Sequence, residues 1–318
     1  MRQESPAEGR VSEPRYAAFM HPWLLLPWLI LPAPMAQDAQ AAPAEPAAIQ
    51  APTLDPAEAP SSAEAIERLR LFIQDNPDAE YISAARFRLA AALVTEADAG
   101  GDPGGYGAAV EQLDLLIGEV EQGRAGSFEQ IAEAWYLLGW CLRDLGPTRA
   151  AQAWQRVVEL SPGSQLAASA LLHLGGQAMD QADWEQAAAH FEAVSATQAD
   201  PATWAQATTM AGWVHYKADE WDQAAEAFAA VLGQDAPGTL QDEALEYLVL
   251  VLVERCEEQG LDVVRQLDPT LARVPAALQA RFVERTAEVL ESMARFDQAE
   301  ALRNPSDKPK RKRAKRKD

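Results

Sequence analysis

One phrase recurs in this chain at a fixed interval, and the interval restricts the fold more than any other feature. "WEQAAAHFEAV" (184–194) returns as "WDQAAEAFAAVL" (221–232), with Ala187 and Phe191 each 37 residues before Ala224 and Phe228. A shorter echo, "FDQAEAL" (296–302), begins 75 residues after Trp221, close to two further periods. A second pattern precedes each copy: "AWYLLG" (134–139), "ALLHLG" (170–175) and "ATTMAG" (207–212), spaced by 36 and 37 residues, with weaker forms at 85–90 and 244–249. The two missing periods before Phe296 predict a degenerate copy at "EEQGLDVVRQL" (257–267). Two apolar segments per period, both with helical rather than alternating spacing, mean stacked helical hairpins. A strand reading is disfavoured as well by heavy use of alanine over Val and Ile.

Each unit has a physical reading. The first helix sets Leu138, Leu142 and Leu145, or Leu174 and Ala178, on one face. Gly139, Gly175 and Gly212 lack a Cβ and admit the second helix of the same unit. Trp184 and Trp221 open that second helix and cap the inner seam. Ala187 and Ala224 are small where the helices cross, and Phe191 and Phe228 fill the space one turn on. Stops stand at Pro162, Asp200-Pro201 and Pro237. The expected helices are 62–75, 79–97, 106–122, 127–145, 148–160, 164–181, 184–196, 201–218, 221–233, 238–258, 275–294 and 297–303, with a short turn near 261–267.

These residues resemble the tetratricopeptide repeat family, whose pattern is an aromatic and Leu-Gly in helix one, then Ala, Phe and a trailing Pro. "AWYLLGW…RAAQAWQRVVELSP" (134–162) carries it with Trp154 in the Phe place and a hairpin turn one residue short. The units at 170–194 and 209–232 carry it about as well, and the long period is similar to that of bacterial cell-envelope repeat proteins. The resemblance implies an all-α, right-handed superhelical solenoid of about five to six antiparallel hairpins over residues 62–303. It also implies a concave surface that binds protein segments.

The flanks read differently. "MHPWLLLPWLILPAPMA" (20–36) has an apolar core too short and too proline-broken for a membrane span, which needs about 20 apolar residues. It fits a signal peptide over 1–36, with Ala39-Gln40-Ala41 as the neatest cleavage site and Met20 as an alternative start. An uncleaved anchor at 20–36 and a cytoplasmic protein with a spurious extension are the other readings. Residues 37–61 are Ala, Pro, Gln and acids without apolar periodicity, as in a disordered linker. Residues 304–318 read as a basic disordered tail. Lys308, Lys310, Arg311, Lys312, Arg313, Lys315, Arg316 and Lys317 would bind a polyanion or anionic surface through counter-ion release. Residues 303–318 carry nine Lys/Arg against two Asp, or +7, so a net charge of −21 leaves −28 on residues 1–302. The body itself is thus a poor surface for nucleic acid or anionic lipid.

The face turned away from the Leu-Gly seam is the candidate site. It offers Tyr136, Trp140 and Arg143, then Leu172 and Met179, then Thr209, Trp213, Tyr216 and Lys217, with Glu246 and Glu254 beyond. Aromatics beside Arg and Lys suit a peptide with apolar anchors and a carboxylate. The competing reading packs Trp140 and Trp213 between neighbouring repeats. Glu96, Asp98 and Asp102 in "EADAGGDPGGYG" lack EF-hand spacing, and His173, His190 and His215 stand singly without a ligand partner. Cys141 and Cys256 are expected to be free thiols. No catalytic fingerprint is present, so the expectation is a scaffold without cofactor, metal or small-molecule substrate. Its partner is a protein in the periplasm or envelope. The alternative is a cytoplasmic adaptor whose basic tail docks on nucleic acid.

Overall fold

The computed structural model describes residues 62–79, 81–100, 104–124, 128–234, 236–259 and 270–304. The expected signal segment, linker and basic tail, the turn at 261–267, Asp102 and the side chain of Cys256 lie outside the described residues. Twelve α-helices follow one another, and no strand occurs among the described residues. They are α1 (Ser62–Asp75), α2 (Ile82–Asp98), α3 (Gly104–Glu121), α4 (Ile131–Leu142), α5 (Pro147–Leu160) and α6 (Gln165–Asp180). After these come α7 (Trp184–Ala193), α8 (Pro201–Lys217), α9 (Trp221–Gly233), α10 (Gly238–Gln259), α11 (Ala276–Ser292) and α12 (Phe296–Arg303). A single 3₁₀ turn, Val194–Ala196, extends α7.

Sequential helices pack as hairpins, α2 on α3, α4 on α5, α6 on α7, α8 on α9 and α11 on α12. Each hairpin also packs on the next: α3 on α4, α5 on α6, α7 on α8 and α9 on α10. First helices touch one another as well, α4 with α6, α6 with α8 and α8 with α10. This is a solenoid of stacked antiparallel hairpins, in which each unit buries its apolar stripe on its neighbours.

The repeating glycines mark the tightest point of each hairpin. A Cβ added at Gly139 would lie 2.5 Å from Nε1 of Trp154. At Gly175 it would meet Phe191 Cε1 at 2.5 Å, and at Gly212 it would meet Phe228 Cε1 at 2.8 Å. The three glycines therefore occupy equivalent helix crossings, as their spacing predicts. One detail differs. The aromatic ring sits on the glycine itself and does not fill a gap further along, because the missing side chain leaves room for a flat face. Trp154, Phe191 and Phe228 are all buried. On its far side, Trp154 stacks on His173 of α6 with 4.6 Å between ring centroids and 17° between planes. Phe228 does the same with Tyr247 of α10, at 5.3 Å and 19°. His173 and Tyr247 are 74 residues apart, two full periods, so the rings of Trp154 and Phe228 are each held between their own glycine and the next repeat.

Hairpin turns repeat too. Ala182, Asp219 and Ala294 have φ of 56°, 60° and 60°, the left-handed conformation. Each stands two residues before the aromatic that opens the second helix. The following amide reaches back to the first helix in the 6→1 bond of a Schellman turn. The bonds are Asp183 N–H to Ala178 O (2.9 Å), Glu220 N–H to His215 O (2.9 Å) and Arg295 N–H to Leu290 O (2.8 Å). The α4–α5 turn, one residue shorter, has no left-handed residue. Gly146 N–H bonds Leu142 O at 2.7 Å instead, and Pro147 starts α5. That shortening ends α4 at Leu142 and leaves Leu145 beyond it and exposed, against the expected helix to 145. Three helix starts, those of α6, α7 and α8, are capped by side chains. Ser164 accepts from Ala167 N–H, Asp183 from Gln186 N–H, and Asp200 from both Ala202 and Thr203 N–H. Asp200 also joins two repeats, since Gln165 of α6 donates to its carboxylate and accepts from its backbone amide.

Two expectations follow for stability. Gly175→Ala should destabilise by about 1–3 kcal/mol, because overpacking against the buried Phe191 outweighs the gain in helix propensity. Gly107→Ala, in α3 with nothing within 4 Å of its added Cβ, should stabilise by up to about 1 kcal/mol. Chemical denaturation of both variants measures the contrast. Ala294→Gly, at a left-handed site, should raise stability by up to about 1 kcal/mol, since glycine bears no Cβ penalty there. A lowered midpoint in the same measurement would contradict the turn geometry.

Candidate functional site

The first-helix face is built from the ends of α4, α6 and α8. Trp140 and Trp213 each follow the crossing glycine, so they project beside the seam and not into it. Both are half-buried. Trp140 sets its edge on His173 of the next repeat, 5.7 Å between centroids and 70° between planes. The Arg143 guanidinium lies 4.8 Å from the Trp140 ring centre. Trp213 meets Trp184, at the start of α7, at 5.9 Å and 61°, and Lys217 Nζ lies 5.0 Å from its ring centre. The same arrangement of an indole under a cation thus appears on α4 and α8. Between them, Gly176 holds the corresponding place on α6, followed by the half-buried Met179.

Both readings of these tryptophans are partly realised: each packs on a neighbouring repeat while keeping some surface in solvent. Tyr216 is half-buried against Trp221 at 5.4 Å. Lys217 is exposed.

Tyr136 must be removed from the surface. It is only 1% exposed, and its hydroxyl lies 3.1 Å from Nε2 of His173. The reason is the tight approach of α6, which covers the position three residues before Gly139. Leu172 and Thr209, at that same position in the next two repeats, are buried for the same cause. Thr209 satisfies its hydroxyl on Ala205 O at 2.8 Å. Glu246 is engaged by Arg285 of α11 at 3.0 Å, part of the α10–α11 contact.

Burial tunes the titratable groups near this face. Burial, with a smaller contribution from Arg143, lowers the His173 pKa to about 4, so the ring is neutral between Tyr136 and Trp154. Burial pushes the Cys141 thiol up to about 12, with Asp98 adding to it, which makes it a poor nucleophile. Burial raises the Tyr136 hydroxyl as well. Among the described residues no group of three His, Cys, Asp or Glu is placed to hold a metal ion. Asp98, at the end of α2, instead accepts from the hydroxyl of Tyr106 in α3. A cavity of about 380 Å³ between α1, α2 and α3 is lined in part by Glu67, Arg70 and Glu96, remote in sequence from the tryptophan face.

Sequence reasoning missed His173, which links α4, α5 and α6, and the reach of Trp184 into the following hairpin. A residue two places before a crossing glycine is the signal that finds His173. Trp184 has none, since its twin Trp221 turns to Tyr216 of its own hairpin.

Residues 133–164 match the family described as tetratricopeptide repeat. No curated protein matches the sequence. Among solved structures, the chain is similar to the C-terminal part of a TPR repeat-containing protein from Cytophaga hutchinsonii, with 17% identity, 78% of this chain and 92% of that one covered, and a TM-score of 0.49. It is similar also to MamA protein, with 17% identity, coverage of 61% and 92%, and a TM-score of 0.43. For the apo quorum sensor NprR from B. thuringiensis the values are 11%, 76% and 69%, and 0.42. Residues 133–164 thus match the tetratricopeptide repeat, and they stand in an array of like stacked hairpins.

Proposed function

We propose that the chain is an exported, non-catalytic scaffold of the periplasm that holds a protein segment on its first-helix face during assembly in the bacterial cell envelope. The observation that carries the reading is the pair of half-exposed indoles, Trp140 and Trp213, each under a cation at equivalent positions of alternate repeats. Amphipathic aromatic and arginine side chains supply most of the energy at protein interfaces. Here they are held on helices locked by the repeat, so little is lost in ordering them. Met179 adds an adaptable apolar contact between the two. Export rests on the apolar run at 20–36 and the small residues after it. The basic segment 308–317 serves as a second contact, toward an anionic surface, with a steep salt dependence. That segment also supports the other reading, a cytoplasmic adaptor whose tail docks on nucleic acid.

Two measurements test these statements. Trp140→Ala and Trp213→Ala should each weaken capture of the native partner, recovered by co-purification from envelope extracts, by about tenfold or more. Undiminished capture by a normally folded Trp140→Ala protein would remove the groove. N-terminal sequencing of the mature protein should give a start near residues 37–42. An intact Met1 or Met20 would favour the cytoplasmic adaptor.

A further inference from the structure

His215 sits where three helices meet, and both of its ring nitrogens face carboxylates. Nδ1 lies 2.6 Å from Oε2 of Glu220, at the start of α9. Nε2 lies 2.9 Å from Oε1 of Glu192, on α7 of the preceding hairpin. An ionised carboxylate only accepts hydrogen bonds, so both contacts are complete only when each ring nitrogen carries a proton. A neutral imidazole supplies one N–H and therefore holds one of the two. The two carboxylates lie on opposite sides of the ring, so they do not converge on a metal site.

We propose that His215 is a proton-dependent clasp between successive repeats, closed when the ring is charged and half-open when it is neutral. The charged ring ties α7 to α8 through Glu192 and α8 to α9 through Glu220. Losing the proton forfeits one tie and leaves a lone pair facing a carboxylate. The stabilisation therefore belongs to the doubly protonated ring and is lost with the second proton.

The elements packed around the ring carry other charges, among them the exposed Glu185 on α7 and Glu226 on α9. From α7 and its cap come His190, half-buried, and Asp183, which caps the helix. α6 contributes the exposed Asp180 at its end. On α8 and its turn, Lys217 lies over Trp213 and Asp219 is exposed. From α9, Asp222 is bridged to Arg255 of α10 at 2.8 Å. The clasp lies two residues from Trp213 and adjoins Tyr216, so its state bears on how α8 is held against the preceding hairpin. The inference does not depend on the proposed binding role.

The test uses the full chain. Melting temperatures of the wild type and His215→Gln are compared from pH 5.5 to 8.5, with ¹⁵N spectra of the imidazole over the same range. The variant should melt about 2–4 °C lower at pH 5.5, with the gap closing by pH 8.5, since glutamine can serve only one side. The spectra should show both nitrogens of His215 protonated at pH 5.5. If His215→Gln does not fold, Glu192→Gln gives the same comparison from a side chain that is 59% exposed. A gap constant with pH, or a ring carrying one proton at pH 5.5, overturns the clasp.

Discussion

The fit of a flat aromatic ring onto a backbone without a side chain governs the rest of this structure. Gly139, Gly175 and Gly212 let the two helices of a hairpin approach until Trp154, Phe191 and Phe228 lie on the facing backbone. This approach settles how close the rods come and therefore which residues are left outside. Tyr136 and its equivalents are swallowed by the neighbouring first helix, while Trp140 and Trp213, one step past the glycine, are pushed to the rim. The proposed binding face is in this sense a by-product of packing: the same period that fixes the crossing also spaces the indoles.

Cohesion between units comes from contacts about one period apart. Tyr136 reaches His173, Gln165 reaches Asp200, and Arg149 of α5 pairs with Asp114 of α3. At the C-terminal end, Arg281 and Arg285 of α11 pair with Asp242 and Glu246 of α10. The Arg281, Arg285 and Arg149 pairs are exposed or nearly so, and such pairs contribute at most about 1 kcal/mol each. The greater share falls to the buried rings, which exclude water on both faces. One of them has a cost attached. The Trp154 indole N–H is buried without a hydrogen-bond acceptor among the described residues, a penalty that the Phe of the other two units does not incur. Stacking on His173 offsets part of it, and a neutral His173 suits that stack because it brings no buried charge.

Much of this was legible in the sequence because repetition makes weak signals add. A single Trp-Asp-Gln-Ala says little; three copies spaced by 37 and 75 residues locate the second helices, and the left-handed turns at Ala182, Asp219 and Ala294 fall at the same spacings. Burial on the candidate face was less legible. Helical spacing gives the direction in which Tyr136 leaves its own helix, but its exposure depends on how near α6 comes, which is a property of two repeats together. Likewise nothing local distinguishes Trp184 from Trp221, yet one ring turns to the next hairpin and the other to its own.

Charge on the first-helix face bears on what kind of contact it can make. Arg143 is followed by Asp144, to which it is bridged at 3.2 Å, Met179 by Asp180, and Lys217 by the nearby Asp219. Each cation that covers an indole thus has an acid within two residues along the chain, so the face carries no excess of formal positive charge despite its Arg and Lys. Attraction there must come chiefly from covering the exposed parts of Trp140, Met179 and Trp213, an apolar term that salt barely screens. The basic segment 308–317 is the opposite case: its contacts would depend on counter-ion release and fade as ionic strength rises. On the proposed reading one chain would carry two contacts with contrasting responses to salt, and the tryptophan face would be the one to retain its strength when electrostatic attraction is screened away.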